Sequence, residues 1–527
     1  MLLFLLFPNH DYSWDVLERT RVLWAWDHAP ATHRYYWAHV LELPLARPFH
    51  AVFAGQQDPC RGLQAMESLA AGAILGLVYV GTRVRQRPLV AASVVALAGS
   101  AFAVWALASR GEERLVGALW LIGSMTLYVR EASAAREPRM LRGALVGVVI
   151  GLAPLVHLTG LLAPACVALD VAVTGLARLI RRPSGPLAPG AIALGTATCT
   201  AVVGLIANFT VCHPGGPVTL GALHQHLALY HHGNVTWRRA TTSMVMGDVV
   251  HVDYAEVARG LASTISAAGI ESWWALPVFL LVAGASWLAA GALLVRDPAR
   301  RRAAGLYLVV TGLWTLHFLH FEPENPESWL FLWLASMAFL GWSLPPVSPV
   351  LGLGLSGVLL VTAVFIVWHD VPFARQLART GRPEQLAREF EALVKDGDVL
   401  LTDDPYWARV HRAFAIKLHR VILLRALLDE QPEPYVADEF VRVREVNGWL
   451  AAGRSIWCDA TCANALQGKA DLGPPITVGD TRFRALRSRL PEPADGGVRG
   501  GARSRLGRVR AAPSRRNRPR ALPWLGA

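Results

Sequence analysis

The feature that most constrains this chain is the succession of apolar segments, each close to membrane-spanning length, that fills its first 370 residues. A helix crossing the ~30 Å hydrocarbon layer needs about 20 apolar residues. Residues 63–81, 89–108, 115–129, 190–211, 273–295, 303–318, 329–342 and 350–368 each read as such a helix. The stretch 143–176 is too long for one span and is interrupted by Pro154, His157 and Pro164, so it reads as two short helices meeting near His157. Residues 1–7 are apolar but short, without the basic start and cleavage site of a signal peptide. They read as the end of a first span whose beginning lies upstream. About eleven crossings are expected, the first one truncated. Hydrophobic residues make up 53% of the chain and charged ones 17%, against about 25% charged in an average protein. A fully soluble, multi-domain enzyme is excluded.

Charge sets the orientation. The net charge is +12, but nine arginines lie between Arg499 and Arg520, and without them +3 remains. Residues 491–527 therefore read as a disordered, Arg-rich tail, and the body gives no sign of a nucleic-acid partner. Further arginines cluster at Arg83, Arg85 and Arg87, at Arg130, Arg136, Arg139 and Arg142, at Arg178, Arg181 and Arg182, and at Arg296, Arg300, Arg301 and Arg302. These fall on alternate loops, and short basic loops stay in the cytoplasm. The loops 9–62, 212–272 and 322–328 then face outward, as does everything after His369. In the loop between, Arg110 and Arg114 are offset by Glu112 and Glu113. The expected architecture is an all-α polytopic membrane domain over 1–370 and a small extracytoplasmic α/β domain over 371–490. In that second part, helical and strand-like segments alternate. Six cysteines make no disulfide scaffold in so long a chain. Cys458 and Cys462 are close enough in sequence to pair, though a helical spacing of four puts them at the upper end of disulfide reach.

The first outward loop carries the sharpest candidates. Asp11 and Asp15 sit about one helical turn apart at the membrane surface, where a carboxylate can serve as general base toward a hydroxyl or amine. The plainer reading makes Asp11 a helix cap and Asp15 a solvated first-turn acid. Next comes an aromatic, histidine-rich stretch holding His33, Arg34, Tyr35 and His39, suited either to anchoring in the headgroup layer or to meeting a phosphate. The outward turn with His320, Glu322, Glu324, Asn325 and Glu327 packs acids and imidazole between two apolar spans, where charge is costly and points to function. Its carboxylates would suit a divalent cation, but no metal-site spacing is present and no cofactor is assigned. His157 belongs to the same outward face. Arg19, Arg21, Arg34, Arg238 and Arg239 are the outward cations available to a phosphate leaving group. Asn208 and Asn234 lie in glycosylation sequons.

Taken together these features resemble the GT-C superfamily of polytopic glycosyltransferases, of the protein-mannosyltransferase and aminoarabinose-transferase type. The likeness covers roughly residues 1–370. It lies in the first-loop acids Asp11 and Asp15, the surface helices after them, the run 63–84, the short-helix pair around 151–157 and the outer C-terminal domain. It implies an integral protein of a bacterial inner membrane that takes a polyprenyl-phosphate-linked sugar and passes it to an extracytoplasmic acceptor. The first-loop acid would activate that acceptor, a role that falls on Asp11 or Asp15. The adjacent Asp-Glu pair of protein mannosyltransferases is missing, and nothing in the sequence names the acceptor. A transporter or flippase of a lipid-linked substrate is the main rival, and a non-catalytic assembly protein is the third reading.

Overall fold

The computed structural model describes residues 9, 14–24, 26–27, 31–35, 40–54, 59–132, 140–181, 188–223, 253–298, 300–319, 323–379, 382–415, 417–428, 441–479 and 481–491. Three short helices, Trp14–Trp24 (α1), Ala31–Arg34 (α2) and Glu42–Phe53 (α3), precede the long Arg61–Arg83 (α4). Pro88–Ser100 (α5) and Phe102–Arg110 (α6) follow, bent by 66° where Ala101 leaves helical geometry. The chain continues through Arg114–Ala132 (α7), Met140–Val156 (α8), a 3-10 turn at Leu158–Leu161, Leu162–Arg181 (α9) and Ala188–Cys212 (α10). Tyr254–Ile265 (α11), Ala275–Arg296 (α12), Arg301–Phe318 (α13), Pro326–Ser343 (α14) and Pro349–Arg379 (α15) complete the bundle. α15 runs on past His369 to Arg379 without a break.

Among the described residues, five helical stretches are long and apolar enough to cross a membrane, and six if the bent pair is one span. These do not confirm the eleven crossings expected from sequence. α8 has only 17 residues, and α7, α13 and α14 carry charged side chains into their first turns. Lipid-facing surface is evident on α12, where Leu288 is 77% exposed, and on α15, where Trp368 is 79% exposed. α14 is the opposite case: Trp329 and Trp333 are buried among neighbouring helices, and the Trp333 indole donates to the Ala98 carbonyl at 3.1 Å. The break near His157 falls where Pro154 and Pro164 predict it. α8 stops at Val156, His157 is extended, and its Nδ1 accepts from the Thr159 N–H at 3.2 Å.

The two ends of the bundle differ chemically. At the arginine-rich end, Gln86 donates to the Leu344 and Pro345 carbonyls, and Arg300 to that of Ser343. Arg302 there pairs with Asp170 while Tyr128 donates to the same carboxylate, tying α13, α9 and α7 together. At the other end the Asn9 N–H donates to the Ser109 carbonyl, and the Leu41 N–H to that of Leu155. Asn208 of α10 also reaches this end, where it is buried and donates to the Tyr35 carbonyl at 2.6 Å. That burial removes its sequon from consideration; Asn234 lies outside the described residues.

Beyond the bundle, Arg382–Leu393 (α16), Val399–Thr402 (β1), Pro405–Phe414 (α17), Arg420–Leu423 (β2), Leu424–Leu428 (α18) and Val443–Ala451 (α19) alternate. Ile456–Cys458 (β3), Ala460–Ala465 (α20), Leu472–Val478 (β4) and Thr481–Leu486 (β5) follow. The sheet order is β2-β1-β3-β5-β4, with β1, β2 and β3 parallel and the β4–β5 hairpin antiparallel. Parallel strands need crossover helices, which is why strands and helices interleave here. One of them, α17, packs against α1, and its Val410, Ala413 and Phe414 join the hydrophobic core of the bundle. The C-terminal domain is thus fastened to the helix that follows the first loop.

The tightest helix pair is α8 on α10. Gly147 and Gly151, one turn apart on α8, face Ala193 and Ala197 of α10 with no room for a side chain. A Cβ at Gly151 would lie 2.4 Å from the Ala197 carbonyl oxygen. Small residues at this spacing let two backbones meet where dispersion and close packing must drive association. Gly151→Ala should therefore destabilise by about 1–3 kcal/mol through overpacking, read as a lower melting temperature of the purified protein. Gly195→Ala, where a Cβ meets nothing within 4 Å, should leave it unchanged.

Candidate active site

At the end of the bundle away from the arginine clusters, acidic and basic side chains form one connected chain, with a histidine in its middle. It begins at Glu42, in the first turn of α3, whose Oε1 is 2.8 Å from Arg19 Nε of α1. Arg19 also pairs with Glu113. Glu113 Oε1 lies 4.0 Å from Nε2 of His157, at the α8 break, and that nitrogen is 3.3 Å from Arg114. Arg114 Nε bonds Glu327 of α14 at 2.9 Å. The far end closes on Arg110, 3.9 Å from Glu327 and 3.0 Å from Glu112. Glu42, Glu112, Glu113 and His157 are all at most 5% exposed.

Local backbone chemistry produces this burial. Gly111 adopts φ +92, a left-handed conformation that glycine reaches without strain. A Cβ there would also meet the Gln64 backbone nitrogen at 2.9 Å. The turn it permits folds Glu112 and Glu113 back into the bundle instead of out to water. Glu67, within α4, is fully buried and accepts from the Leu115 and Val116 N–H groups at 2.9 and 3.3 Å. It caps the start of α7, where N–H groups lack partners and a negative charge is favoured. Removing one partner of a buried pair of this kind costs about 3–5 kcal/mol, so the chain also locks α1, α3, α7 and α14 to one another.

Beside it opens a cleft of about 400 Å³, counting its open mouth. Arg114, His157, Thr159 and Glu327 form its polar side; Trp314, Phe318 and Phe331 form an aromatic wall. The Trp314 indole is fixed by donating to the Ser328 carbonyl at 2.6 Å. A site so built can hold an anion against guanidinium groups and lay a ring or an apolar tail along aromatic faces.

Of the residues singled out from sequence, Arg19, His157 and Glu327 come together here. Arg34 and Tyr35 belong to a neighbouring aromatic group, in which the Arg34 guanidinium stands 5.8 Å from the Trp26 ring and 5.9 Å from that of Tyr35. Glu324 is exposed, and Asn325 caps α14 by accepting from the Glu327 N–H at 3.0 Å. Asp11, His39, Arg238, His320 and Glu322 lie outside the described residues, as does the side chain of Asp15, which belongs to α1. Sequence reasoning missed Glu42, Glu67, Arg110, Glu112, Glu113 and Arg114. The visible signal was Glu67, a lone acid inside the first full apolar run, where charge marks function or a buried partner. Glu112 and Glu113 were passed over because they entered only the charge balance of their loop. Among the described residues, no group of three or more His, Cys, Asp or Glu side chains could hold a metal ion.

Burial pushes the Glu112 carboxyl up to about 8, the facing Glu327 carboxylate adds to the rise, and Arg110 opposes it. A carboxyl whose pKa is raised on folding stabilises the folded state fully below its ordinary value near 4.5. That contribution fades as the pH climbs through about 8. The melting temperature of the purified protein should fall across this window. Glu112→Gln, which keeps the hydrogen-bonding capacity without the titration, should flatten the profile.

No protein-family model matches the chain, and no characterised protein matches it by sequence. Among solved structures it is similar to ArnT from Cupriavidus metallidurans bound to undecaprenyl phosphate, with a TM-score of 0.58 at 11% identity, covering 93% of this chain and 97% of that one. The apo state of the same protein aligns with a TM-score of 0.43 at 13% identity, over 91% and 93% of the two chains. The apolar helices of spanning length are those of an integral membrane protein. Its fold is similar to that of ArnT.

Proposed function

We propose that the protein is a membrane glycosyltransferase that moves a sugar from a polyprenyl-phosphate-linked donor to an extracytoplasmic acceptor, with a first-loop aspartate as general base. The observation that carries this reading is the Arg114–His157–Glu327 rim over an aromatic cleft, at the end of the bundle opposite the arginine-rich loops. With basic loops in the cytoplasm, that end and the attached C-terminal domain face outward. A polyprenyl-phosphate donor stays in the bilayer, so its headgroup must be met at an interface, which is where this rim lies. The similar ArnT structure holds undecaprenyl phosphate.

The chemistry of this reading is a displacement at the sugar's anomeric carbon. The acceptor's hydroxyl or amine attacks the anomeric carbon, and its proton passes to the aspartate carboxylate. The bond from that carbon to the phosphate oxygen breaks, and the electron pair leaves on the phosphate. In this reading Arg114, on the cleft's rim, stabilises that growing charge, an electrostatic contribution that is often the largest in catalysis. Trp314 and Phe331 give the sugar or the first isoprene units an apolar face. Asp11 is favoured as base: it lies two residues beyond Asn9, whose backbone carbonyl and N–H are held by Gln64 and Ser109 next to the charged chain. A transporter would place its ionisable groups near mid-membrane, whereas the clusters described here lie toward the two ends of the bundle. A passive scaffold gives no reason to bury so many paired charges beside an open cleft.

The test is transfer of radiolabelled sugar from polyprenyl phosphate by the purified protein in lipid nanodiscs. Asp11→Asn preserves size and capping while removing the base, and the rate should fall ~10²- to 10⁴-fold. Asp15→Asn should be much milder. Wild-type rates from both variants and from their double mutant would remove the first-loop acids from the mechanism.

A further inference from the structure

The helix α3 is amphipathic with its faces reversed. Leu45, Pro48, Phe49, Val52 and Phe53 recur at helical spacings of three and four, so they share one face. Leu45, Pro48, Val52 and Phe53 are exposed, Val52 at 74%, and the Phe49 and Phe53 rings stack with centroids 6.5 Å apart. The opposite face, with Glu42, Leu43, Ala46 and His50, is buried and packs on α4. A helix that turns an apolar face away from its own protein, at one end of a membrane bundle, fits the boundary between lipid headgroups and acyl chains.

Two guanidinium groups gather on one indole beside this helix. Arg47 of α3 stands 4.9 Å from the Trp26 ring centre, and Arg34 stands 5.8 Å from the same ring. Contact with an aromatic face holds a guanidinium without consuming its N–H groups. Asp27, itself exposed, approaches Arg47 only to 3.7 Å. Among the described residues no acid pairs with Arg34, and its Nε has no hydrogen-bond partner. Two cations against one distant carboxylate leave a net positive charge next to an apolar stripe.

We propose that this surface binds a singly anionic phospholipid, with the phosphate on Arg34 and Arg47 and the acyl chains along the stripe of α3. A guanidinium presents its N–H groups in a fork that matches phosphate oxygens. A zwitterionic lipid carries an ammonium group as well, which the unbalanced positive charge disfavours. The site needs only that the chain spans a membrane, so it stands or falls apart from sugar transfer. Lipid held there braces α3, whose first turn carries Glu42 and its pairing with Arg19.

The full-length protein, purified in an uncharged detergent, is titrated with dioleoylphosphatidylglycerol or dioleoylphosphatidylcholine, and bound lipid is counted by native mass spectrometry. One phosphatidylglycerol should bind more tightly than any phosphatidylcholine. Arg47→Gln alters a side chain that is 54% exposed, so the fold survives, and it should weaken phosphatidylglycerol about fivefold. Arg34→Gln/Arg47→Gln should weaken it further, with phosphatidylcholine unaffected. Arg259→Gln, exposed on α11, should change nothing. Val52→Ser/Phe53→Ser, at two exposed positions, should weaken both lipids. Equal binding of the two lipids overturns the proposal, as does binding indifferent to the arginine variants or to Val52→Ser/Phe53→Ser. Displacement of the lipid by inorganic phosphate would mark a free-anion site, and displacement by equimolar polyprenyl phosphate would give these arginines to the sugar donor. Either result also overturns it.

Discussion

Five carboxylates (Glu42, Glu67, Glu112, Glu113 and Glu327) and three guanidinium groups (Arg19, Arg110 and Arg114) are drawn largely out of water at one end of a helix bundle. Each ion loses hydration worth several kcal/mol, which only close opposite charges and hydrogen bonds return. The structure meets that demand by pairing most of these charges with opposite ones and by raising the pKa of the Glu112 carboxyl, through burial first and the facing Glu327 second. Because the partners come from α1, α3, α7, α14 and the turn at Gly111, the pairing dictates where those elements stop and how they meet.

Function depends on the same constraint. The Arg114 and Glu327 side chains that hold α7 to α14 also edge the cleft, so its polar rim cannot shift without breaking buried pairs. His157 takes part because α8 breaks there, and its Nδ1, fixed by the Thr159 N–H, leaves Nε2 pointing toward Arg114 and Glu113. α17 braces α1 from outside, so the helix that carries Arg19 is held between the bundle and the C-terminal domain.

Much of the architecture was legible in the sequence because membrane helices advertise themselves through apolar length. The broken pair at His157 was readable from its prolines, and the α/β domain from its alternating segments: residues 398–402 and 420–424 contain β1 and β2. The number of crossings is not confirmed: α7, α13 and α14, read as spans from their apolar runs, begin with charged residues and are not among the described helices of full apolar length. The site was half visible. Arg19, His157 and Glu327 stood out as ionisable groups near apolar spans, but Glu112 and Glu113 counted only toward a loop's charge balance, because their burial depends on the left-handed turn at Gly111. The Gly147–Gly151 contact was missed because each glycine looks like any other in an apolar run until α10 is placed beside it.

The central claim is that the charged rim and aromatic cleft receive a lipid-borne phosphate. Photo-crosslinking tests it most directly, using a polyprenyl phosphate with a diazirine near the phosphate, purified protein in nanodiscs, and mapping of adducts by mass spectrometry. The account predicts adducts on the cleft, at His157, Thr159, Trp314 or Phe331, abolished by excess unlabelled polyprenyl phosphate. Adducts confined to the lipid-facing surfaces of α12 and α15 and insensitive to competitor would contradict it.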